Sequence, residues 1–280
     1  MGGIRNRWLF FALFLLASPA QAQWTQGRAG RVWVKVAGFR QKTDKRFGVV
    51  GERERYLTNG TSDARAVVTD VIVGVQPNLD VWLQVPYFDL RFSDAAQDLR
   101  TTGFGDIRAW VRWQPITLFK GSTPLALRAG VKTPIGDSPR DGQIIPVGEG
   151  QWDAEVFGEI GHSFWPFPAY GELWLGYRKR YPNGRLLKDP GNEFVFLSEV
   201  GWNPREWSLL KVTVDGLRGK RFRSDRILTA TKRRLTTLQL AGAVRAGPTW
   251  PEFAVRIPLD GRGFIPAGPQ YSLAVSARLH

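Results

Sequence analysis

Residues able to do bond chemistry are scarce in this chain. It has no Cys and two histidines, His162 and His280, and shows no H-E-x-x-H or clustered Cys/His spacing of the kind that ligates a metal. His162 is followed by Ser163, a base and a nucleophile of the types a lipid hydrolase uses. Neighbours on a strand point to opposite faces, however, and cannot form a hydrogen-bonded dyad there. Asp153, Glu155 and Glu159 share one strand face and could hold a cation, although pairing with interior cations is the stronger expectation. Asn59-Gly60-Thr61 has the glycosylation pattern, a signal with weight only in a chain that meets a glycosylation machinery. The expectation is a protein with no catalytic residue, no metal ligand and no cofactor.

Charge is the chemistry that remains. On one face of a series of alternating segments lie Lys35, Arg108, Arg112, Arg128, Lys132, Arg178, Arg180, Lys211, Arg245, Arg256 and Arg278. They are matched in number by Asp70, Asp80, Asp106, Asp153, Glu155, Glu159, Glu172, Glu199, Asp215, Glu252 and Asp260. Enclosed together, such groups pair across the enclosure, because an unpaired charge in a confined low-dielectric space is costly. The bore they line should be narrow or partly obstructed. Set on opposite walls of water, the same residues would make a polar channel with a transverse field.

The elements that place these charges are strands. Between Gly30 and His280 about twelve segments alternate apolar and polar residues, at roughly 31–39, 65–76, 79–90, 103–114, 124–133, 152–163, 168–180, 193–203, 206–217, 235–246, 250–260 and 269–279. In Arg65 to Gln76, Val67, Thr69, Val71, Val73 and Val75 fall on one face and Asp70, Gly74 and Gln76 on the other. Each segment has the length a tilted strand needs to cross a bilayer core. Connectors are short and long in turn. Those near 76–78, 114–123, 164–167, 203–205 and 247–249 are tight and carry Pro, Gly or Asn, whereas 40–64, 91–102, 134–151, 181–192, 218–234 and 261–268 are longer and charged. Short turns face the periplasm, so both termini fall there.

This pattern predicts an all-β fold: a single transmembrane antiparallel β-barrel of about twelve strands in the bacterial outer membrane. A soluble β-sandwich is the competing architecture. Residues 1–22 weaken it, since Arg5 and Arg7, the apolar Trp8–Leu16 and Ala20-Gln21-Ala22 read as a cleaved secretory signal, which leaves 23–280 as one barrel domain. No later apolar run is long enough for a membrane helix. Mean hydropathy is −0.24, yet 12 Trp, 17 Phe and 6 Tyr form a heavy aromatic load. Trp33, Tyr87, Trp113, Trp152, Trp202, Trp207, Trp250 and Tyr271 sit near segment ends, where interfacial girdles form.

The excess positive charge lies outside the alternating face. Net charge is +14, or +12 without Arg5 and Arg7. Leu217 to Arg234 holds Arg218, Lys220, Arg221, Arg223, Arg226, Lys232, Arg233 and Arg234 against Asp225 alone. A basic extracellular loop suits outer-membrane lipid and lipopolysaccharide phosphates, or the steering of an anionic solute. Nucleic acid is not an expected partner.

Three motifs point to a family. Thr102-Gly103-Phe104-Gly105-Asp106-Ile107, then Gly130-Val131-Lys132-Thr133-Pro134-Ile135-Gly136-Asp137, then Gly148-Glu149-Gly150-Gln151-Trp152-Asp153 together resemble outer-membrane barrels related to the meta-pathway phenol-degradation protein, and Gly176-Tyr177-Arg178 is similar as well. The resemblance spans about residues 100–180 and implies transport of small, often hydrophobic or aromatic, molecules. Structurally, Gly103 and Gly105 would relieve crowding at a strand start, Pro134 would end a ladder and Gly136 would permit a turn. The chain ends Ala277-Arg278-Leu279-His280 and lacks the terminal aromatic that such barrels present to the barrel assembly machinery, its other expected partner. The rival expectations are a sealed structural or assembly barrel and a lipid hydrolase. The segment Pro134–Gln151, with Ile144, Ile145 and Val147 at its centre, is the candidate for folding inward over the mouth.

Overall fold

The computed structural model describes residues 29–119, 122–138, 145–184, 188–224 and 227–279. Among them, twelve long antiparallel strands close a barrel. These are β1 Val32–Thr43, β2 Thr61–Gln76, β3 Leu79–Ser93, β4 Arg108–Leu118, β5 Thr123–Lys132 and β6 Asp153–Ser163. They continue as β7 Ala169–Arg180, β8 Glu193–Arg205, β9 Ser208–Ser224, β10 Ile227–Val244, β11 Thr249–Arg262 and β12 Gln270–Leu279. Each pairs with its neighbour in sequence, and β12 returns to β1 from Val32↔Leu279 to Gln41↔Gln270. Closure leaves no open edge, which a lipid environment requires.

Parity sorts the side chains as the sequence implies. On β2, Val67, Val71, Val73 and Val75 face outward while Ala66, Val68, Asp70 and Ile72 are buried within. On β3, Val81, Leu83 and Tyr87 face outward against Asp80, Trp82 and Gln84. A one-residue slip would put Asp70 in hydrocarbon, so register is strongly specified. Trp152, Trp202, Trp207 and Tyr271 are exposed at or beside strand ends as girdle residues, and Tyr87 and Trp113 are exposed on the outward face within their strands. Trp33 is not: it shares parity with Lys35 and is 1% exposed inside the barrel. Trp250 is half-buried, on the parity of Glu252.

Several strands outrun their sequence signature. β1 extends to Thr43, β2 begins at Thr61, and the segment expected as a basic loop, 218–234, is largely the β9–β10 hairpin. The expected strand 103–114 splits: Asp98–Phe104 folds back on β3, and β4 starts only at Arg108. The reason is that lipid demands an apolar outward parity only across its own thickness. Above it the backbone ladder continues in water, where either face tolerates charge. A small sheet of Lys45–Phe47, Arg53–Arg55 and Ile265–Pro266 lies at the same end. The signal segment 1–22, Ile144 and Arg226 lie outside the described residues.

Interior glycines make room for rings. A Cβ on Gly176 would lie 2.2 Å from Cδ1 of Phe157, and one on Gly130 2.1 Å from Cδ1 of Trp110. Each aromatic side chain covers the glycine of its neighbouring strand, a device that bends and fills a sheet at once. Gly176→Val is expected to cost about 1–3 kcal/mol by overpacking, read as a lower urea midpoint of the refolded barrel. Gly158→Ala, which meets nothing within 4 Å, should leave that midpoint unchanged.

Candidate functional site

Inside the barrel the side chains lie in continuous rows of register partners. Lys35, Asp70, Gln84, Arg108, Lys132, Asp153 and Arg180 form one row from β1 to β7. Trp33, Ile72, Trp82, Trp110, Gly130, Glu155, Arg178 and Glu193 form the next, from β1 to β8. One wall is therefore aromatic where the other is ionic.

The ionic wall is a network rather than a set of pairs. Arg178 donates from Nε to Glu155 at 2.6 Å and from Nη1 to Glu193 at 2.9 Å. Arg180 joins Glu193 (2.8 Å) to Glu149 (2.6 Å), and Lys132 reaches Glu149 (2.6 Å), Asp106 (3.0 Å) and Asp153 (3.2 Å). Arg233, from β10, approaches both Glu149 and Glu193 at 3.2 Å. Elsewhere Lys35 and Lys211 converge on Glu252, Arg256 bonds Asp215, and Tyr170 and Thr213 each donate to Glu199 at 2.7 Å. Glu172 is the buried register partner of Glu199.

Glu149 belongs to the segment that the sequence marked for inward folding, and the family-like motifs are what hold it there. Asp106 accepts from the backbone N–H of Gly136 (3.1 Å) and of Glu149 (2.8 Å), as well as from Lys132. Gly136 and Gly148 are pressed together beside it. A Cβ on Gly148 would lie 2.5 Å from both the Asp106 carboxylate and the Gly136 oxygen. Gly136 thus serves close approach rather than a left-handed turn, and Gly105 likewise lies under the Phe88 ring. Ile145 and Val147 join Phe39, Tyr56, Phe88, Leu90 and Phe92 in an apolar cluster inside the mouth. A second cluster, including Phe47, Phe157, Val195, Leu217, Leu235 and Ile265, lines another part of the interior.

Between these layers the Arg128 guanidinium is enclosed by rings. It lies 4.4 Å from the centroids of Phe157 and Trp174, 4.8 Å from Trp82 and 5.6 Å from Trp110, with its Nε 2.6 Å from Glu159. Desolvated cation–π contacts of this kind are worth about 2 kcal/mol or more. Arg112 pairs with Asp80 at 2.8 Å, Trp110 donates to Glu155 (2.9 Å), and Trp82 and Gln84 donate to Asp70 (3.0 and 2.9 Å). A cavity of about 30 Å³ is lined here by Trp82, Gln84, Arg108, Trp110, Trp174 and Arg178, among others. That is room for about two waters. Among the described residues Arg108 has no ion pair, and it borders this space.

Most of the charges assigned inward by parity lie inside. Arg245 does not: it is exposed in the turn after β10, beyond the last paired residue, where strand parity no longer applies. Arg278 is exposed at the end of β12, and Asp260 is turned outward by a register shift to pair with Arg234 at 2.7 Å. In the basic hairpin, Arg218, Lys220, Arg221 and Lys232 are exposed, whereas Arg233 points inward and is buried. Parity with Val195 and Glu199 could have revealed Glu193. Glu149, in a connector, carries no such signal. Nδ1 of His162 lies 2.6 Å from the hydroxyl of Thr123 on β5 rather than beside Ser163.

A closed antiparallel barrel with an apolar outer belt and a charged interior is an outer-membrane β-barrel, and the outer membrane is where this protein resides. Solved structures agree with that fold. An outer membrane channel from Pseudomonas putida F1 superposes with a TM-score of 0.74 at 12% identity, covering 90% of this chain and 96% of that one. The transport unit of the autotransporter AIDA-I from Escherichia coli gives 0.53 at 9% identity over 98% and 96% of the two chains. The translocator domain of the autotransporter NalP from Neisseria meningitidis gives 0.50 at 9% over 91% and 90%. No protein-family model and no curated protein matches the chain.

Proposed function

We propose that the barrel is a passive outer-membrane channel or transporter for small molecules, with hydrophobic or aromatic compounds as its solutes. The observation that carries this reading is the ordering of the interior. An apolar lining inside the mouth, with Phe39, Phe88, Leu90 and Phe92, gives way to the indoles of Trp82, Trp110 and Trp174 beside the Arg108 guanidinium. Flat aromatic walls stack planar solutes, and a cation at their edge receives an acidic or hydroxyl substituent. Structural barrels have no use for such a sequence of surfaces. The lumen charges act as its polar rim, and the exposed basic hairpin raises the local concentration of anionic solutes and lipids. The protein is not an enzyme on this reading.

Single-channel recording in a planar bilayer tests it. Brief, small openings are expected, with block by benzoate that weakens several-fold in Arg108→Ala. A second reading, a sealed structural barrel, is favoured by the narrowness of the cavity around Arg128. Folded protein that never conducts, in wild type or in variants that free the inward segment, would decide for that alternative.

A further inference from the structure

We propose that the outward face of β1–β3, with the Asp98–Phe104 strand beside it, binds the phosphorylated headgroup of an outer-leaflet glycolipid. The face is a lattice of charges. In its lower row Arg40, Arg65 and Asp89 are successive register partners; in its upper row Lys42, Asp63, Arg91 and Arg100 are. All have the outward parity of Val36, Val67 and Tyr87, the last apolar exterior residues below them.

Arg40 therefore sits directly opposite Arg65, and Arg91 directly opposite Arg100. Like charges at direct cross-strand positions disfavour a sheet unless an anion lies between them. The carboxylates only partly serve. Arg40 takes Asp63 at 2.6 Å, leaving Arg65 at 3.5 Å from the same group, while Arg91 pairs with Asp98 (2.5 Å) and Arg100 with Asp89 (2.8 Å). Lys42 has no ion pair among the described residues. Five bases thus face three acids, and the four arginine side chains remain 51–65% exposed; Arg40, Arg91 and Arg100 each fork onto one carboxylate through Nε and Nη2, which leaves their Nη1 edges and the Arg65 guanidinium to receive an oxyanion.

Height selects the ligand. Tyr87 and Phe104, both exposed and packed edge to face at 5.2 Å, mark the aromatic boundary of the membrane just beneath the lattice. A glycolipid whose acyl chains lie on Val36 and Val67 brings its phosphates to the arginines, whereas a free anion gains no such apolar contact. The site is separate from the basic β9–β10 hairpin and does not depend on whether the lumen conducts.

Native mass spectrometry of protein extracted from outer membranes tests the assignment. Wild type is expected to retain bisphosphorylated lipid A, and Arg65→Ala with Arg91→Ala to lower the retained fraction about tenfold while keeping the heat-modifiable gel shift of a folded barrel. Arg65→Gln with Arg91→Gln repeats the test with side-chain length preserved and should give the same loss. Lipid A stripped of phosphate should not be retained, and inorganic phosphate should not displace the intact lipid. Equal retention by either folded double variant, equal retention of the dephosphorylated lipid, or displacement by inorganic phosphate would each overturn the proposal.

Discussion

Arg178→Ala is expected to destabilise the barrel by about 3–5 kcal/mol, the range for stripping one partner from a buried ionic group. The side chain is 1% exposed and is shared between Glu155 and Glu193. Without it Glu155 keeps the Trp110 N–H and the more distant charge of Arg108, and a carboxylate in a closed interior has little water to recover its solvation. Glu193 suffers less, since Arg180 and Arg233 remain. The measurement is the urea midpoint of reversible refolding into lipid vesicles. Arg178→Met with Glu155→Gln should recover much of the loss, because the penalty comes from the uncompensated charge and not from the missing attraction. Arg234→Ala, which breaks a pair exposed by about two-fifths on each side, should change stability by only about 0–1 kcal/mol. Similar losses for Arg178→Ala and Arg234→Ala would mean that the interior is well hydrated and the network weak.

Glu149→Ala is expected to raise single-channel conductance several-fold while leaving the barrel folded. Among the described residues Glu149 is the carboxylate of the network carried by the inward segment rather than by a strand, and it receives Lys132, Arg180 and Arg233 together. Those cations keep wall partners when it is gone: Asp106 and Asp153 for Lys132, Glu193 for Arg180 and Arg233. The wall survives and the segment loses its three ion pairs. Ile145 and Val147 then rest on hydrophobic contact, on the bond from the Ile145 N–H to the Thr101 hydroxyl (3.0 Å), and on the Asp106 carboxylate, which still accepts the backbone N–H groups of Gly136 and residue 149. A thiol placed by Val147→Cys should react with a membrane-impermeant maleimide faster in the Glu149→Ala background than alone. Unchanged conductance together with unchanged labelling would show that the segment is held by its apolar contacts and that Glu149 is a passive member of the network.

What the sequence determined by itself was everything tied to the two-residue period. Lipid outside and a charged interior impose opposite demands on successive side chains, so the strand count, the closed antiparallel fold, and the inward placement of Asp70, Arg112, Arg178 or Glu199 were all readable from parity alone. Where that constraint lapses, legibility lapses with it. The outer hairpin arms keep their backbone ladder in water without an apolar face, which is why 218–234 read as a loop and Arg233 as a surface charge. Trp33 read as a girdle residue because its type outweighed its parity. Which charges meet depends instead on how the closed barrel brings its strands and connectors together. Glu149 lies in a connector with no period at all, yet the contact between Gly136 and Gly148 beside Asp106 brings it onto three cations from three different strands. Barrel closure likewise sets β1 beside β12 and gathers Phe157, Trp174, Trp82 and Trp110 around one guanidinium, a convergence of residues far apart in the chain that no local pattern encodes.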